Sequence, residues 1–408
     1  MDILQSGVWS YVITENGVGV CGFSEESENI IIPETIDGKI VETVYFGIVD
    51  TETKSIFIPK TVKEFVMWGY LISLKKIIVD EDNQWFSSKD GVLYNKEYTI
   101  LVRYPCAMTY DNKYLNGVVE IADYAFADVQ NIDNVVIPDT ITKIGLEAFS
   151  SCETLNSIKM TNSVKQIGAG AFCGCSFKDI ELTENICEYE MSEYDEGLGF
   201  FSGNKFVEFS VPENIKRIGD KTFEYCRELK KIYISSSVEE IGKFVFYECN
   251  SLEEIVVSKD NKFYYSEDGV LYSRDGTLLH YPKSKKDTSF IVPDNIIRIN
   301  TYAFYENKKL KNLTIGKNVF EIGRRAFACS HIESINIPSK VKIIEKDVFL
   351  YTSIKELYMP KSIEYIVMDS GTAGNINPFK DMQILVDKGS YAEKMCIEYG
   401  LNYKTINN

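Results

Sequence analysis

Cysteine is the residue type whose spacing first raises the question of chemistry. Thiols that recur at a fixed offset could form a disulfide ladder or a metal site, although free cysteine is also a small side chain that is commonly buried. Neighbouring copies would present parallel Cβ vectors, which is poor disulfide geometry. We therefore predict a structural role for the cysteines found two or three residues after a phenylalanine, which are Cys152, Cys175, Cys226, Cys249 and Cys329.

Other candidates for a metal site or a catalytic centre are few. Cys173 and Cys175 form a C-x-C pair, but no second pair lies nearby, and His280 and His331 are the only histidines in the chain. Neither histidine lies in a recognisable catalytic motif, and no phosphate-binding glycine loop follows a strand. We predict no catalytic residue, no metal and no cofactor, so that the protein is not an enzyme. A hydrolase that uses two of the abundant carboxylates is the least favoured alternative.

An acidic stretch, EYEMSEYDEG at residues 188–197, could contact a partner. We assign Glu193, Tyr194 and Asp195 to a possible contact loop for a basic partner. Weak Ca²⁺ ligation and an ordinary solvated loop are the alternatives, and the spacing of the carboxylates matches no fixed Ca²⁺ motif.

Composition excludes some classes of partner. The chain has 408 residues, of which 44 are basic and 60 acidic, and the resulting charge of −16 would repel a phosphate backbone. We therefore predict that nucleic acid is not a partner. No apolar run reaches the roughly 18 residues that a transmembrane helix needs, and the first residues lack the pattern of a signal peptide.

A short repeat must position all of these residues. Its anchor phenylalanine recurs at intervals of 22 or 23 residues, except where an insertion lengthens the interval, and this spacing indicates a solenoid. Each anchor is followed by a strand of the form L-x-x-I-x-I, then by V-x-x-I-G and a short helical or 3₁₀ turn that carries the next anchor. Stacking would bury the repeated Ile, Phe and Leu as ladders. The anchors are Phe126, Phe149, Phe172, Phe201, Phe223, Phe246, Phe304, Phe327 and Phe349.

Two hairpin insertions interrupt the repeats, at residues 82–105 and 260–282, in addition to the shorter insertion that contains the acidic stretch. Both contain Asp-Gly-Val-Leu-Tyr and close with Tyr-Pro, so we predict the same inserted β-hairpin in each. Residues 9–21 alternate around Asn16-Gly17, which predicts an N-terminal hairpin cap with a type I′ turn.

The C-terminal end has the signature of a helical cap. Ser390 and Glu393 form a capping box, Ala392, Cys396 and Tyr399 share one helical face, and Gly400 follows. We predict one continuous domain over residues 1–408. It comprises an N-terminal cap with the first turn at 1–46, repeats at 47–370 and a C-terminal cap at 371–408.

The motif V-x-x-I-G-x-x-A-F-x-x-C-x-x-L-x-x-I-x-I-P, repeated from about residue 118 to 360, resembles the BspA-type leucine-rich repeat proteins. The predicted fold is α/β and β-rich, a single horseshoe-like, right-handed leucine-rich repeat solenoid. The resemblance implies a bacterial, non-enzymatic module for adhesion or protein binding, at the cell surface or secreted. The absence of a signal peptide pattern keeps a cytoplasmic location as an alternative.

The expected partner is a protein or a surface glycan, bound by a monomer. A structural protein that assembles with itself is the competing hypothesis. Solenoids bind along the concave strand face, so we assign a partner-binding stripe to the outward strand position, with the tyrosines as anchors. Strand surfaces favour aromatic and β-branched residues in any case. The assigned residues are Phe57, Lys159, Tyr233, Thr314, Asn336 and Tyr358.

Overall fold

The computed structural model describes residues 2–47, 52–67, 71–177, 179–181, 199–368, 377–379 and 381–406. The chain divides into two compact units. The first unit comprises Met1–Phe206, Asn214–Cys226 and Ile241–Glu248, and the second comprises Val207–Glu213, Arg227–Glu240 and Cys249–Asn408. The continuity of one domain over residues 1–408 stays a prediction.

Short β-strands make up nearly all the regular structure. The first eighteen are β1 Leu4–Ser6, β2 Trp9–Ile13, β3 Val18–Phe23, β4 Asn29–Ile31, β5 Thr35–Ile36, β6 Lys39–Phe46, β7 Ser55–Ile58, β8 Glu64–Met67, β9 Lys76–Val79, β10 Phe86–Lys89, β11 Val92–Asn95, β12 Ile100–Arg103, β13 Glu120–Ile121, β14 Asn134–Val136, β15 Lys143–Ile144, β16 Ser157–Lys159, β17 Gln166–Ile167 and β18 Asp179–Glu181.

The remaining strands continue the same pattern. They are β19 Glu208–Ser210, β20 Arg217–Ile218, β21 Lys231–Ile234, β22 Glu240–Ile241, β23 Glu254–Val257, β24 Tyr264–Glu267, β25 Val270–Ser273, β26 Thr277–His280, β27 Ser289–Ile291, β28 Arg298–Ile299, β29 Asn312–Thr314, β30 Glu321–Ile322, β31 Ser334–Asn336, β32 Ile343–Ile344, β33 Glu356–Met359, β34 Tyr365–Ile366, β35 Gln383–Asp387 and β36 Tyr403–Ile406. A 3₁₀ helix spans Asn112–Leu115, and the α-helix α1 spans Tyr391–Glu398.

Each repeat contributes two strands, one more than the sequence predicted. The predicted strand is present, and β14 and β16 pair in parallel with Val135 opposite Ile158. Proline follows β14 because it cannot donate to a ladder, and Ile141 N–H closes the turn on the Pro138 carbonyl at 3.1 Å. The V-x-x-I-G segment then forms β15, which pairs in parallel with β17, so that the expectation of a simple turn there was wrong.

The turn that carries the anchor phenylalanine forms a third inter-repeat ladder instead of a short helix. The N–H groups of Glu147, Phe149 and Ser151 donate to carbonyls of the next repeat at 2.9, 2.8 and 2.7 Å. Glu147 and Ser151 reach these bonds with φ of 48° and 58°, in the left-handed region. That conformation costs a non-glycine residue about 1–2 kcal/mol, which the stacked hydrogen bonds offset.

Stacked aromatic rings fill the interior of both units. Phe126 and Phe149 are fully buried, with ring centroids 4.8 Å apart and ring planes 3° apart. Fully burying such a ring is worth about 1.5–3 kcal/mol. The ladder of the first unit contains Tyr104, Phe126, Phe149, Phe172, Phe201, Phe223 and Phe246. The ladder of the second unit contains Tyr281, Phe304, Phe327, Phe349 and Phe379.

The two insertions share one topology and confirm the predicted hairpins. In the first unit β10 pairs antiparallel with β11, and β11 with β12, which joins the parallel ladder through β13. In the second unit β24, β25, β26 and β28 are paired in the same way. Each insertion therefore grows out of a strand of the repeat scaffold.

The N-terminal cap is the predicted hairpin, formed by β2 and β3. Its turn is not type I′, because Gly17 does not adopt a positive φ. Thr14 N–H donates to the Gly17 carbonyl and Gly17 N–H to Thr14 Oγ1, both at 3.1 Å. Glycine is required because a Cβ there would collide with the carbonyl oxygen of Ile40.

The C-terminal cap contains the predicted helix, α1. Ser390 Oγ accepts the Glu393 N–H at 3.1 Å, Glu393 Oε2 accepts the Gly389 N–H at 2.6 Å, and Gly400 has φ of 62°. Ala392 and Cys396 are buried as predicted, whereas Tyr399 is exposed because the helix ends at Glu398. Within the described residues, no helix has the length and apolar character needed to cross a bilayer.

Candidate binding surface

Parallel pairing places the outward strand residues of neighbouring repeats in rows. Strands β4, β7 and β9 each bury their second residue and turn their third outward, because side chains alternate along a strand. In the first unit β4, β7 and β9 pair in register, which aligns Ile31, Phe57 and Ile78. Strand spacing puts neighbours in such a row about 4.8 Å apart.

The row of Ile31, Phe57 and Ile78, here called the apolar row, is open to solvent. Ile31 is 67% exposed and Ile78 is 39% exposed, and Phe57 between them is half-buried. Ion pairs flank the row at both strand ends, where Lys54 contacts Glu28 and Lys60 contacts Glu34. An apolar centre with a charged rim is the usual layout of a protein interface.

The predicted tyrosine anchors are less available than expected. Tyr233 is half-buried, and the Lys231 ammonium lies 5.0 Å from its ring centroid. Lys231 is itself paired with Glu254 at 2.8 Å. Tyr358 is half-buried, and its hydroxyl donates to Asp387 Oδ2 at 2.9 Å. Both tyrosines lie on the strand face, as predicted, but each is held by neighbouring side chains.

The remaining predicted residues of the stripe are polar and exposed. Lys159 lies beside the exposed Val136, and Thr314 lies beside Ile291, which is 70% exposed. The Asn336 Oδ1 accepts the Ile315 N–H at 2.8 Å, so this side chain ties adjacent strands together. The contact-loop residues Glu193, Tyr194 and Asp195 lie outside the described residues.

The repeated cysteines donate hydrogen bonds between repeats. Cys152 Sγ donates to the Phe126 carbonyl at 3.1 Å, Cys175 to Phe149 at 3.2 Å, and Cys226 to Phe201 at 3.1 Å. Burial raises the pKa of the Cys152 and Cys175 thiols far above the ordinary value, so both remain protonated. Every described cysteine is a free thiol.

Cys329 does not belong to this set. It lies two residues after Phe327, half-buried, with φ of 58°, and Ser330 takes the buried position that a cysteine has in the other repeats. The offset of two residues instead of three moves its side chain to the turn surface. The cysteine that the sequence placed with the others is therefore a surface residue of the turn.

The titratable groups near these turns are shifted by burial. Burial lowers the pKa of His280 to about 3, and the nearby Lys283 charge acts in the same direction, so the imidazole is neutral at physiological pH. Burial also raises the pKa of Asp128 to about 6 and that of Glu147 above its usual value. In the part of the chain that the structure describes, no group of three or more His, Cys, Asp or Glu residues could hold a metal ion.

Sequence reasoning identified Phe57 and missed its neighbours in the apolar row. Ile31 stands in the run Ile30-Ile31-Ile32, where three isoleucines in succession hide the alternation. Pro33 was the available signal, because counting back from a strand-ending proline assigns Ile31 to the outward position.

Comparison with known proteins places this arrangement in context. Residues 119–196, 197–273 and 281–377 match six copies of the BspA type leucine rich repeat region. No curated protein matches the chain.

Several solved bacterial structures are similar. A leucine rich cell surface protein from Faecalibacterium prausnitzii is 18% identical, with 100% of this chain and 96% of that one covered and a TM-score of 0.48. A leucine-rich repeat protein from Eubacterium ventriosum is 21% identical, with coverages of 68% and 89% and a TM-score of 0.42. One from Bacteroides ovatus is 15% identical, with coverages of 99% and 100% and a TM-score of 0.37.

Proposed function

Because the chain belongs to the BspA-type leucine-rich repeat family, we propose that it is a bacterial surface scaffold that binds a protein through the apolar row. The observation that carries the proposal is the alignment of Ile31, Phe57 and Ile78 on three paired strands, with both isoleucines exposed. Contiguous exposed apolar side chains on a rigid element mark interaction sites.

A protein suits this surface better than a glycan does. The two ends of the row, Ile31 and Ile78, are aliphatic, whereas sugar hydroxyls need polar partners. The polar side chains nearest along the strands are already engaged, since Ser55 Oγ donates to Asn29 Oδ1 at 2.6 Å. An apolar patch on a partner would bury the row, and the ion pairs Glu28–Lys54 and Glu34–Lys60 would form the rim.

The scaffold acts by binding rather than by catalysis. Members of the family are regarded as binding modules, and the thiols, which are the strongest nucleophiles in the repeats, donate hydrogen bonds between repeats instead. The stripe residues Lys159, Thr314 and Asn336 are secondary contacts in this proposal, and Tyr233 and Tyr358 support the strand face from half-buried positions.

The test is a binding screen with matched variants. The full chain is passed over a panel of purified extracellular matrix proteins, and the Kd of each binder is compared between wild type and the double variant Ile31→Ser with Ile78→Ser. Affinity should fall about tenfold or more, because truncating interface anchors costs at least 1–2 kcal/mol. The control is Ile397→Ser on α1, which is also a largely exposed isoleucine.

The outcomes separate the alternatives. If every binder holds the double variant as tightly as wild type, the apolar row is not the site. A binder whose affinity disappears after enzymatic deglycosylation would assign the row to a glycan. A multimeric wild type that becomes a monomer in the double variant, measured by light scattering, would assign it to self-assembly.

A further inference from the structure

A lysine is buried at the base of the second insertion. Lys283 follows the closing Tyr281-Pro282, and its side chain is only 6% exposed. The Nζ atom lies 3.1 Å from Asn250 Oδ1 and 3.0 Å from Glu306 Oε2. It also lies 5.4 Å from the ring centroid of Tyr305. A buried amine, an exposed carboxamide and a carboxyl group that is 30% exposed therefore meet at one place.

The first insertion also has a buried cation at its base, although it has no carboxamide side chain at the position of Asn250. Aligning the Asp-Gly-Val-Leu-Tyr motifs of the two insertions puts Ile72 opposite Asn250, and aligning their closing Tyr-Pro puts Cys106 opposite Lys283. There the cation is Arg103, whose guanidinium donates to the Ala127 carbonyl at 3.0 Å and attracts the carboxylate of Asp128. The second insertion thus keeps a cation beside a carboxyl group and adds an asparagine.

These three groups are the components of an amide exchange. A lysine amine becomes nucleophilic when it gives up its proton, and a carboxyl group within hydrogen-bond distance can carry that proton. The side-chain amide of Asn250 offers an electrophilic Cγ next to the atom that Lys283 already contacts. Contacts of about 3 Å between reacting groups lower the entropic part of the barrier, and the burial of the Lys283 side chain limits the access of water to its amine.

We infer that Lys283 and Asn250 are the site of an intramolecular isopeptide bond, with Glu306 as its proton carrier. Glu306 accepts a proton from the Lys283 ammonium, and the freed amine attacks Cγ of Asn250. The Cγ–Nδ2 bond then breaks as Glu306 protonates the leaving nitrogen. Overall, one ammonium and one carboxamide become one secondary amide and one ammonium ion, so atoms and charge balance without any oxidant or cofactor.

The cross-link would clamp the second insertion at its base. The linked residues are 33 positions apart, and β23, β24, β25 and β26 lie between them. A covalent bond that closes such a loop restricts the unfolded chain, as a disulfide does. It would hold the insertion on the repeat scaffold under load or in the presence of protease, independently of what the apolar row binds.

Mass spectrometry of the full chain under denaturing conditions tests the proposal. The wild type should be lighter than its sequence by one ammonia molecule, and a tryptic digest should contain a branched peptide that joins Asn250 to Lys283. Ammonia is also lost when Asn-Gly sequences close a succinimide, and the chain has these at Asn16 and Asn116. The branched peptide is therefore the deciding observation.

Two variants and an internal control distinguish a specific cross-link from a non-specific one. Glu306→Gln and Asn250→Ala should both abolish the branched peptide, with circular dichroism as the check of folding. The Lys340–Asn318 contact, at 2.6 Å, should remain unlinked because the Lys340 side chain is exposed, whereas that of Lys283 is buried. Separate, unmodified peptides for Asn250 and Lys283 from the wild type would overturn the assignment, and a full yield of branched peptide from Glu306→Gln would overturn the role of Glu306.

Discussion

Replacing Asp128 with asparagine should stabilise the protein at neutral pH and leave its stability in acid unchanged. Asp128 lies two residues after Phe126, half-buried, with φ of 63°. Burial raises its pKa from 3.8 to about 6, and Arg103 opposes that shift without cancelling it. Asparagine has nearly the same shape and tolerates the left-handed conformation, so the substitution removes mainly the charge.

The magnitude and the sign of this change in stability follow from proton linkage. A carboxyl group whose pKa is higher in the folded state binds its proton more tightly there, so its contribution to stability is present below about pH 4 and is lost as the pH rises through about 6. Two pKa units correspond to about 3 kcal/mol for a fully buried group. Because Asp128 is partly exposed, we expect about 1–2 kcal/mol.

Urea denaturation followed by circular dichroism would measure the effect at about pH 4 and about pH 7.5. Asp268→Asn is the matched control, because Asp268 is an exposed aspartate with φ of 48° and reports what the backbone gains from asparagine. The linkage argument would be refuted if Asp128→Asn raised the free energy of unfolding by the same amount as Asp268→Asn. It would also be refuted if the gain were the same at both pH values.

Two further predictions concern the packing between repeats. Gly168→Ala should destabilise the protein by about 3 kcal/mol or more, because its Cβ would lie 2.6 Å from the Gly145 carbonyl carbon. Gly117→Ala, which meets no atom within 4 Å but has φ of 80°, should cost only about 1 kcal/mol, and equal urea midpoints would contradict this reasoning. The buried thiols of Cys152, Cys175, Cys226 and Cys249 should react with Ellman's reagent on the order of 100-fold faster after unfolding. Rapid labelling of these four in the native protein, located by mass spectrometry, would show that the repeats open locally.

Local periodicity was sufficient to identify the scaffold. Phe149, Cys152 and Ile158 recur at offsets that admit only stacked repeats, and the capping box at Ser390 and Glu393 forms within a single turn of chain. Such signals can be recognised in a sequence because the interacting residues are close together or repeat at a fixed interval.

The tertiary structure decided what depends on the neighbouring repeat. The V-x-x-I-G segment alone predicts a turn, and it becomes strand β15 because β13 and β17 pair with it. The Asn16-Gly17 pair predicts a type I′ turn. Glycine is required at position 17 for a different reason, because Ile40, from another part of the chain, passes close to it.

The sequence by itself determined the stacked repeats, their buried ladders, the two insertions and the helical cap. Only the tertiary structure placed Ile31 and Ile78 beside Phe57, and Asn250 and Glu306 around Lys283. Those juxtapositions depend on register between strands and on the lengths of insertions, which set contacts over long separations. The residues that recur in each repeat form the buried ladders, whereas the two proposed sites form where different residues of separate repeats come into contact.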